Sequence, residues 1–142
     1  MVWQPFALPI PNVPLREASS IGELGAFLAI GEAWADMVSH FLPESPVVLD
    51  LGCGCGKLAR FLYLHPTLRY IGVDLFLPAI AWCRRAFEPL AGERFRFEHF
   101  NGYSEAYNPE GDIRPVDYRL PCDDHSVDVA VCGSLLRIWP NR

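Results

Sequence analysis

A doubly wound parallel α/β sheet, incomplete at about four strands and preceded by an N-terminal helical segment, follows from three features of this 142-residue sequence. Short apolar runs alternate with stretches of helical period. The apolar runs are nearly continuous, as strands buried on both faces require. A glycine cluster joins the first such run to the first helical stretch after it. Strand, helix, strand, helix, strand in that order builds a parallel sheet through right-handed crossovers. With 51% hydrophobic and 13% aromatic residues, the chain has the material for one small core.

The elements read as follows. Residues 1–18 are aperiodic and rich in proline (Pro5, Pro9, Pro11, Pro14), which predicts an extended arm lying on a domain that spans residues 19–142. From Ser19 or Ser20 as N-cap, Ile21, Leu24, Leu28, Trp34, Val38, Phe41 and Leu42 recur at helical spacing until Pro43. That is one long helix, or two short ones broken near Gly31. Val47 to Leu51 reads as a buried strand, and Lys57 to Leu64 as a helix with Leu58, Phe61 and Leu62 on one face. A strand over Tyr70 to Val73, a helix over Leu77 to Phe87 and a strand carrying Phe95, Phe97 and His99 follow. The last strand, Val127 to Cys132, comes after a connection rich in Gly, Pro, Asn and Asp. Connections of that length are usually functional or mobile.

Composition excludes several classes. A net charge of -5 with scattered Lys and Arg does not suit a surface that neutralises a nucleic-acid backbone. Cys53, Cys55, Cys83, Cys122 and Cys132 are odd in number and irregular in spacing, so they form no disulfide framework and suit a reducing cytoplasm. Cys53-x-Cys55 lacks the second closely spaced Cys/His pair of a zinc site, so no metal is expected. The N-terminus lacks a basic region, its prolines interrupt any signal core, and no apolar run reaches the ~18 residues of a membrane span. The expectation is a cytoplasmic protein with neither nucleic-acid nor membrane partners.

Leu49-Asp50-Leu51-Gly52-Cys53-Gly54-Cys55-Gly56-Lys57 carries the chemistry. At a strand-to-helix junction, glycines allow a sharp turn and a close ligand approach, and the helix N-terminus is expected to offer free N–H groups. A dinucleotide fingerprint beginning at Gly52 needs Gly or Ala where Lys57 stands. A phosphate loop ending at Gly56-Lys57 needs Gly at 51 and a hydroxyl at 58, where the chain has Leu51 and Leu58. Asp50, two residues before the first glycine, would accept from a cationic ammonium and repel a pyrophosphate. Asp74, about 20 residues past the loop at a strand end, is placed to hold ribose hydroxyls. It could equally cap the helix beginning near Leu77. Leu75 and Phe76 follow it as candidates to pack on an adenine face.

At these residues the sequence resembles class I S-adenosylmethionine-dependent methyltransferases, and most closely a bacterial group whose first motif is Gly-Cys-Gly-Cys-Gly with a basic residue. Further similarities are Phe27-Leu28 with Gly31, Ile80-Ala-Trp82-Cys83, Tyr107-Asn108-Pro109 with Gly111, and Leu120-Pro121 through Asp128. The resemblance implies a Rossmann-like fold, S-adenosylmethionine as cofactor, and methyl transfer to a small-molecule or glycan-precursor acceptor, at oxygen. It implies that Gly52, Gly54 and Gly56, with Cys53 between them, contact the methionine part, that Asp50 lies near the amino group and that Asp74 holds the ribose. Asn101 matches a position where such enzymes often place an acidic residue near adenine. Cys132, Gly133 and Ser134 would border the transferred methyl group, although Ser134 equally suits an N-cap.

Such enzymes build seven strands, and four can be read before Arg142. The chain is therefore expected to stop before the domain is complete, with the open edge of the last strand covered by the N-terminal arm, a second copy or another chain. No residue is assigned as catalytic. Asp117, Asp124 and His125 lie in the long connection near the expected cleft but read better as turn residues. His99 reads as structural. The rival function is a non-catalytic cofactor-binding or assembly module that pairs through its sheet edge.

Overall fold

The structure is a computed structural model and describes residues 8–133. Strands β1 (Val47–Leu51), β2 (Arg69–Asp74), β3 (Phe95–His99) and β4 (Val129–Val131) form one parallel sheet in the order β3-β2-β1-β4. The chain steps outward from β1 to β3 and then returns to the far side of β1. That reversal makes a topological switch point between β1 and β4, where open α/β sheets leave a crevice at their carboxyl ends.

Alternation along the strands separates two faces. Val48, Tyr70, Phe95 and Phe97 share one face, against which α2 (Leu24–Ser39), α3 (Ala59–Leu62) and α4 (Leu77–Ala91) pack. Tyr70 stacks on Phe95 at 5.1 Å, and Phe87 meets Phe97 at 5.0 Å. A buried aromatic of this kind contributes roughly 1.5–3 kcal/mol over an exposed one. The other face, Leu49, Ile71 and Val73, is covered by Phe100, Tyr118, Cys122 and Val127 of the β3–β4 connection. Among the described residues that connection has no helix longer than the 3-10 turn Pro115–Asp117.

Several expected boundaries move. The arm is not extended throughout, because α1 (Val13–Ser19) forms inside it. Asn12 accepts from Leu15 N as its N-cap, and Pro14 sits in the first turn, where a missing N–H costs nothing. Ser19 and Ser20 therefore end a helix where the sequence reading had one begin. The true start of α2 is capped by Glu23, whose carboxylate accepts from Gly25 N and Ala26 N. α2 runs unbroken through Gly31. α3 shrinks to four residues because the glycine loop persists to Leu58, and α4 continues to Ala91 past Pro89. β4 is three residues long, shorter than the expected Val127 to Cys132.

Two buried arginines strap the N-terminal segment to the domain. Arg60 donates to Pro9 O at 2.6 Å, and Arg16 donates to Pro11 O and Gly22 O at 2.5 and 2.8 Å. Charge-assisted bonds to backbone carbonyls satisfy polar groups that burial would otherwise penalise. Arg60 ties residues 8–9 to α3, and Arg16 braces α1 against the chain on either side of it.

Candidate functional site

The loop leaving β1 takes left-handed backbone at Gly52, Gly54 and Gly56, with φ of 83°, 54° and 78°. Side chains rarely adopt this region. Space forbids them as well: a Cβ on Gly54 would lie 2.7 Å from Ser19 Cβ, and one on Gly56 would lie 2.9 Å from the Phe87 ring.

The five N–H groups of this loop all have partners within the protein. Gly52 N and Cys53 N donate to Val73 O at 2.7 and 3.1 Å, and Gly56 N to Cys53 O at 3.1 Å. Gly54 N donates to Asp74 Oδ2 at 2.8 Å, and Cys55 N to Ser19 Oγ at 2.9 Å. Residues 52–56 thus offer no free N–H, and the expectation of free N–H groups concerns the start of α3, which follows them. Neighbouring β2 and α1 reach the donors first. A phosphate would find none of them available.

Asp74 is the hinge of this arrangement. Its second oxygen, Oδ1, accepts from Phe76 N at 2.8 Å, so the carboxylate ties the loop to the entrance of α4. The N-cap of α4 is Phe76, not Asp74. Burial pushes the Asp74 carboxyl up, and its backbone hydrogen bonds oppose that. Each carboxylate oxygen has further acceptor capacity beyond one N–H, so anchoring the loop still allows a second bond outward.

Asp50 is buried at 5% exposure and accepts from Tyr70 OH at 2.5 Å. Burial pushes its pKa up to about 6, against the lowering effect of the tyrosine hydrogen bond. It lines a recess of about 40 Å³ with Trp34, Gly52, Lys57 and Gly133, where the ends of β1 and β4 meet α2. The expected residues Asp50, Gly52, Cys53 and Gly133 thus come together there, whereas Cys132 is exposed just beyond β4. Ser134 lies outside the described residues.

Leu75 is buried, so of the two residues after Asp74 only Phe76 is partly exposed, its ring edge-on to Tyr107 at 6.0 Å. Asn101 is engaged on both sides of its amide, donating to Asp112 Oδ1 at 2.8 Å and accepting from Asn108 Nδ2 at 3.0 Å. It organises the segment above β3. Its backbone carbonyl also accepts from Asp112 N and Ile113 N. His99 is structural, with Nε2 3.1 Å from Leu75 O.

The thiols of Cys53 and Cys83 both donate to Gly54 O, at 3.7 and 3.5 Å, and burial pushes both pKa values well up. These are packing groups and not nucleophiles. Asp117, Asp124 and His125, which read better as turn residues, do not line the recess at Asp50. Asp117 pairs with Arg114 at the surface. Asp123 and Ser126, which flank Asp124 and His125, line a separate 350 Å³ cavity with Val47 and Arg69, at the starting ends of the strands. His125 itself holds a positive-φ turn.

A family model described as a methyltransferase domain matches residues 49–142. The chain belongs to the methyltransferase-domain family. The match begins one residue before Asp50 and takes in the glycine loop, Asp74 and the β4 end. In this methyltransferase domain, sequence reasoning overlooked Ser19, Trp34 and Tyr70 at the site, and gave Lys57 no contact there although it counted it as the basic residue of the first motif. Their roles depend on which elements meet across the loop, and no local pattern carries that information.

Proposed function

We propose that this methyltransferase domain uses S-adenosylmethionine and transfers its methyl group to an oxygen of a small-molecule or glycan-precursor acceptor. One observation carries the cofactor reading: the N–H donors of residues 52–56 are consumed internally, and the carboxylates Asp50 and Asp74 stand at the ends of β1 and β2. The loop backbone over residues 52–56 thus presents no donors, and the two strand ends present carboxylate acceptors. Such a site suits a ligand that brings an ammonium and ribose hydroxyls and carries no phosphate. The acceptor class rests on the family resemblance alone.

Bound S-adenosylmethionine supplies a methyl group activated by its sulfonium. The chain's part is orientation. Asp74 receives hydroxyl donors while holding Gly54, Asp50 receives the ammonium, and the glycines let the backbone come close. Holding the methyl group in line with the acceptor supplies much of the rate enhancement in such a transfer. The Cys132-Gly133 end of β4 borders the reacting centre in this reading.

Calorimetric titration with S-adenosylhomocysteine, with NAD and ATP as controls, tests it. Saturable binding of the first, lost in Asp74→Ala, is the expected result. Preferential binding of NAD or ATP overturns it.

A second reading, a cofactor-binding module that pairs through its sheet edge, has one observation in its favour: among the described residues β4 pairs only with β1. Methyl transfer by the chain alone excludes it, and transfer that requires a partner chain supports it. Among the described residues no helix is long and apolar enough to cross a membrane; the cytoplasmic location we propose rests on the irregular, odd cysteine set.

A further inference from the structure

Lys57 is a half-buried ammonium beside a buried carboxylate. It and Asp50 line the same small recess with Gly52 and Gly133. Burial pulls the Lys57 pKa down and the charge of Asp50 opposes that, so the two groups feel one another. Yet among the described residues the ion pairs within 4.0 Å are Arg84–Glu98 and Arg114–Asp117, and Lys57 is in neither. Asp50 takes its hydrogen bond from Tyr70 instead. A partly desolvated cation held near a buried anion, but not closed onto it, leaves a site with separated charges of opposite sign.

The lysine is held in place by α2. A Cβ on Gly31 would fall 2.4 Å from Lys57 O and 3.0 Å from Lys57 Cγ, so the bare helix backbone presses on both the main chain and the stem of the lysine. This gives Gly31 a physical reason within the fold. One turn further along α2, the Trp34 ring roofs the recess: it would lie 3.2 Å from a Cβ on Gly133.

We propose that Lys57, positioned by Gly31, receives the α-carboxylate of the cofactor's amino-acid end and so selects a zwitterion over the corresponding amine. The assignment rests on the cofactor reading above. The ammonium goes to Asp50 and the carboxylate to Lys57, two complementary charge-assisted contacts within one recess. Gly52 and Gly133 add no side chain to the lining, which Trp34, Cys53, Leu58 and Val131 complete.

The experiment compares three ligands on the full chain: S-adenosylhomocysteine, its decarboxylated counterpart, and 5′-methylthioadenosine, which lacks both charges. Wild type should prefer S-adenosylhomocysteine to the decarboxylated compound by about 10–100-fold, the range of one charge-assisted hydrogen bond. Lys57→Met should erase that preference, and Lys57→Arg should restore most of it. Gly31→Ala, which leaves the lysine in place chemically but displaces it, should reduce the preference in the same way. It serves as the second variant if Lys57→Met melts early. A preference that survives Lys57→Met in a folded protein overturns the assignment. Wild-type binding of all three ligands with equal affinity overturns it while sparing the cofactor reading, and wild-type binding of none overturns both.

Discussion

The Tyr70 hydroxyl donates a 2.5 Å hydrogen bond to Asp50 Oδ2, joining two strands beneath the glycine loop where both residues are almost wholly buried. The bond favours the ionised carboxylate, but burial acts more strongly and leaves Asp50 with a pKa of about 6 against a usual 3.8.

A carboxyl whose folded pKa is raised binds its proton more tightly in the folded state. Its contribution to stability is therefore fully present below about pH 4 and is lost as pH rises through about 6. The loss is on the order of 1–3 kcal/mol. Asp50→Asn should flatten this part of the stability profile in denaturant unfolding between pH 4 and 7.5. Tyr70→Phe removes the bond that lowers the pKa and should move the midpoint upward. Ligand binding runs the other way, since an ammonium prefers ionised Asp50: S-adenosylhomocysteine affinity should rise through pH 6 in wild type and not in Asp50→Asn. A pH-independent wild-type affinity would count against Asp50 as the ammonium receptor.

Asp74 accepts from both Gly54 N and Phe76 N, and its variants separate anchoring from ligand binding. Asp74→Ala strands both donors and should cost roughly 2–4 kcal/mol, at about 1–2 per unsatisfied group. Asp74→Asn keeps one acceptor and should cost about half as much. S-adenosylhomocysteine binding should fall at least about tenfold in both, because the carboxylate's spare lone pairs are lost or reduced.

Gly54 meets two constraints that a double-mutant cycle can divide. Gly54→Ala should destabilise by roughly 1–3 kcal/mol through its φ of 54° and the encounter with Ser19. In a Ser19→Gly background the steric part should vanish and the backbone part should remain. Thermal unfolding of the four proteins should thus show a coupling energy of at least about 0.5 kcal/mol. Strict additivity would mean that Ser19 moves aside freely.

Asn108 holds the segment above β3, donating through Nδ2 to Asn101 Oδ1 and Gly102 O at 3.0 and 2.9 Å. Asn108→Ala should release this segment with a stability loss of about 1–2 kcal/mol. Hydrogen exchange should accelerate at the Asp112 and Ile113 amides, which bond to Asn101 O, but not at the β1 and β2 amides. Unchanged protection at Asp112 and Ile113 would show that the backbone bonds suffice alone.

How far the site could be read in advance depended on the range of the interactions involved. Gly52, Gly54, Gly56, Asp50 and Asp74 stood out because a strand-to-helix turn and a strand-end carboxylate are local features with fixed spacing. The Pro-rich arm misled, since Pro14 suits the first turn of a helix as well as an extended chain. Asn101 was legible by position, but its engagement with Asn108 and Asp112 follows from the fold of the connection. The long connection could be recognised as irregular, but its path past the starting ends of the strands could not. Lacking periodicity, it carries no sign of which face it covers.

From its sequence alone, this chain determines a parallel α/β order, a glycine turn after the first strand, and a methyltransferase resemblance centred on that turn. These rest on backbone preferences and on the burial of nearly continuous apolar runs, both of which act over a few residues. The tertiary structure decided what the turn can bind. Only packing brings Val73 O, Asp74 and Ser19 to the loop's N–H groups, presses Gly31 onto Lys57, and sets Tyr70 against Asp50. Donor satisfaction and charge desolvation depend on every neighbour at once, and those neighbours come from α1, α2 and β2, elements far from the loop in the chain.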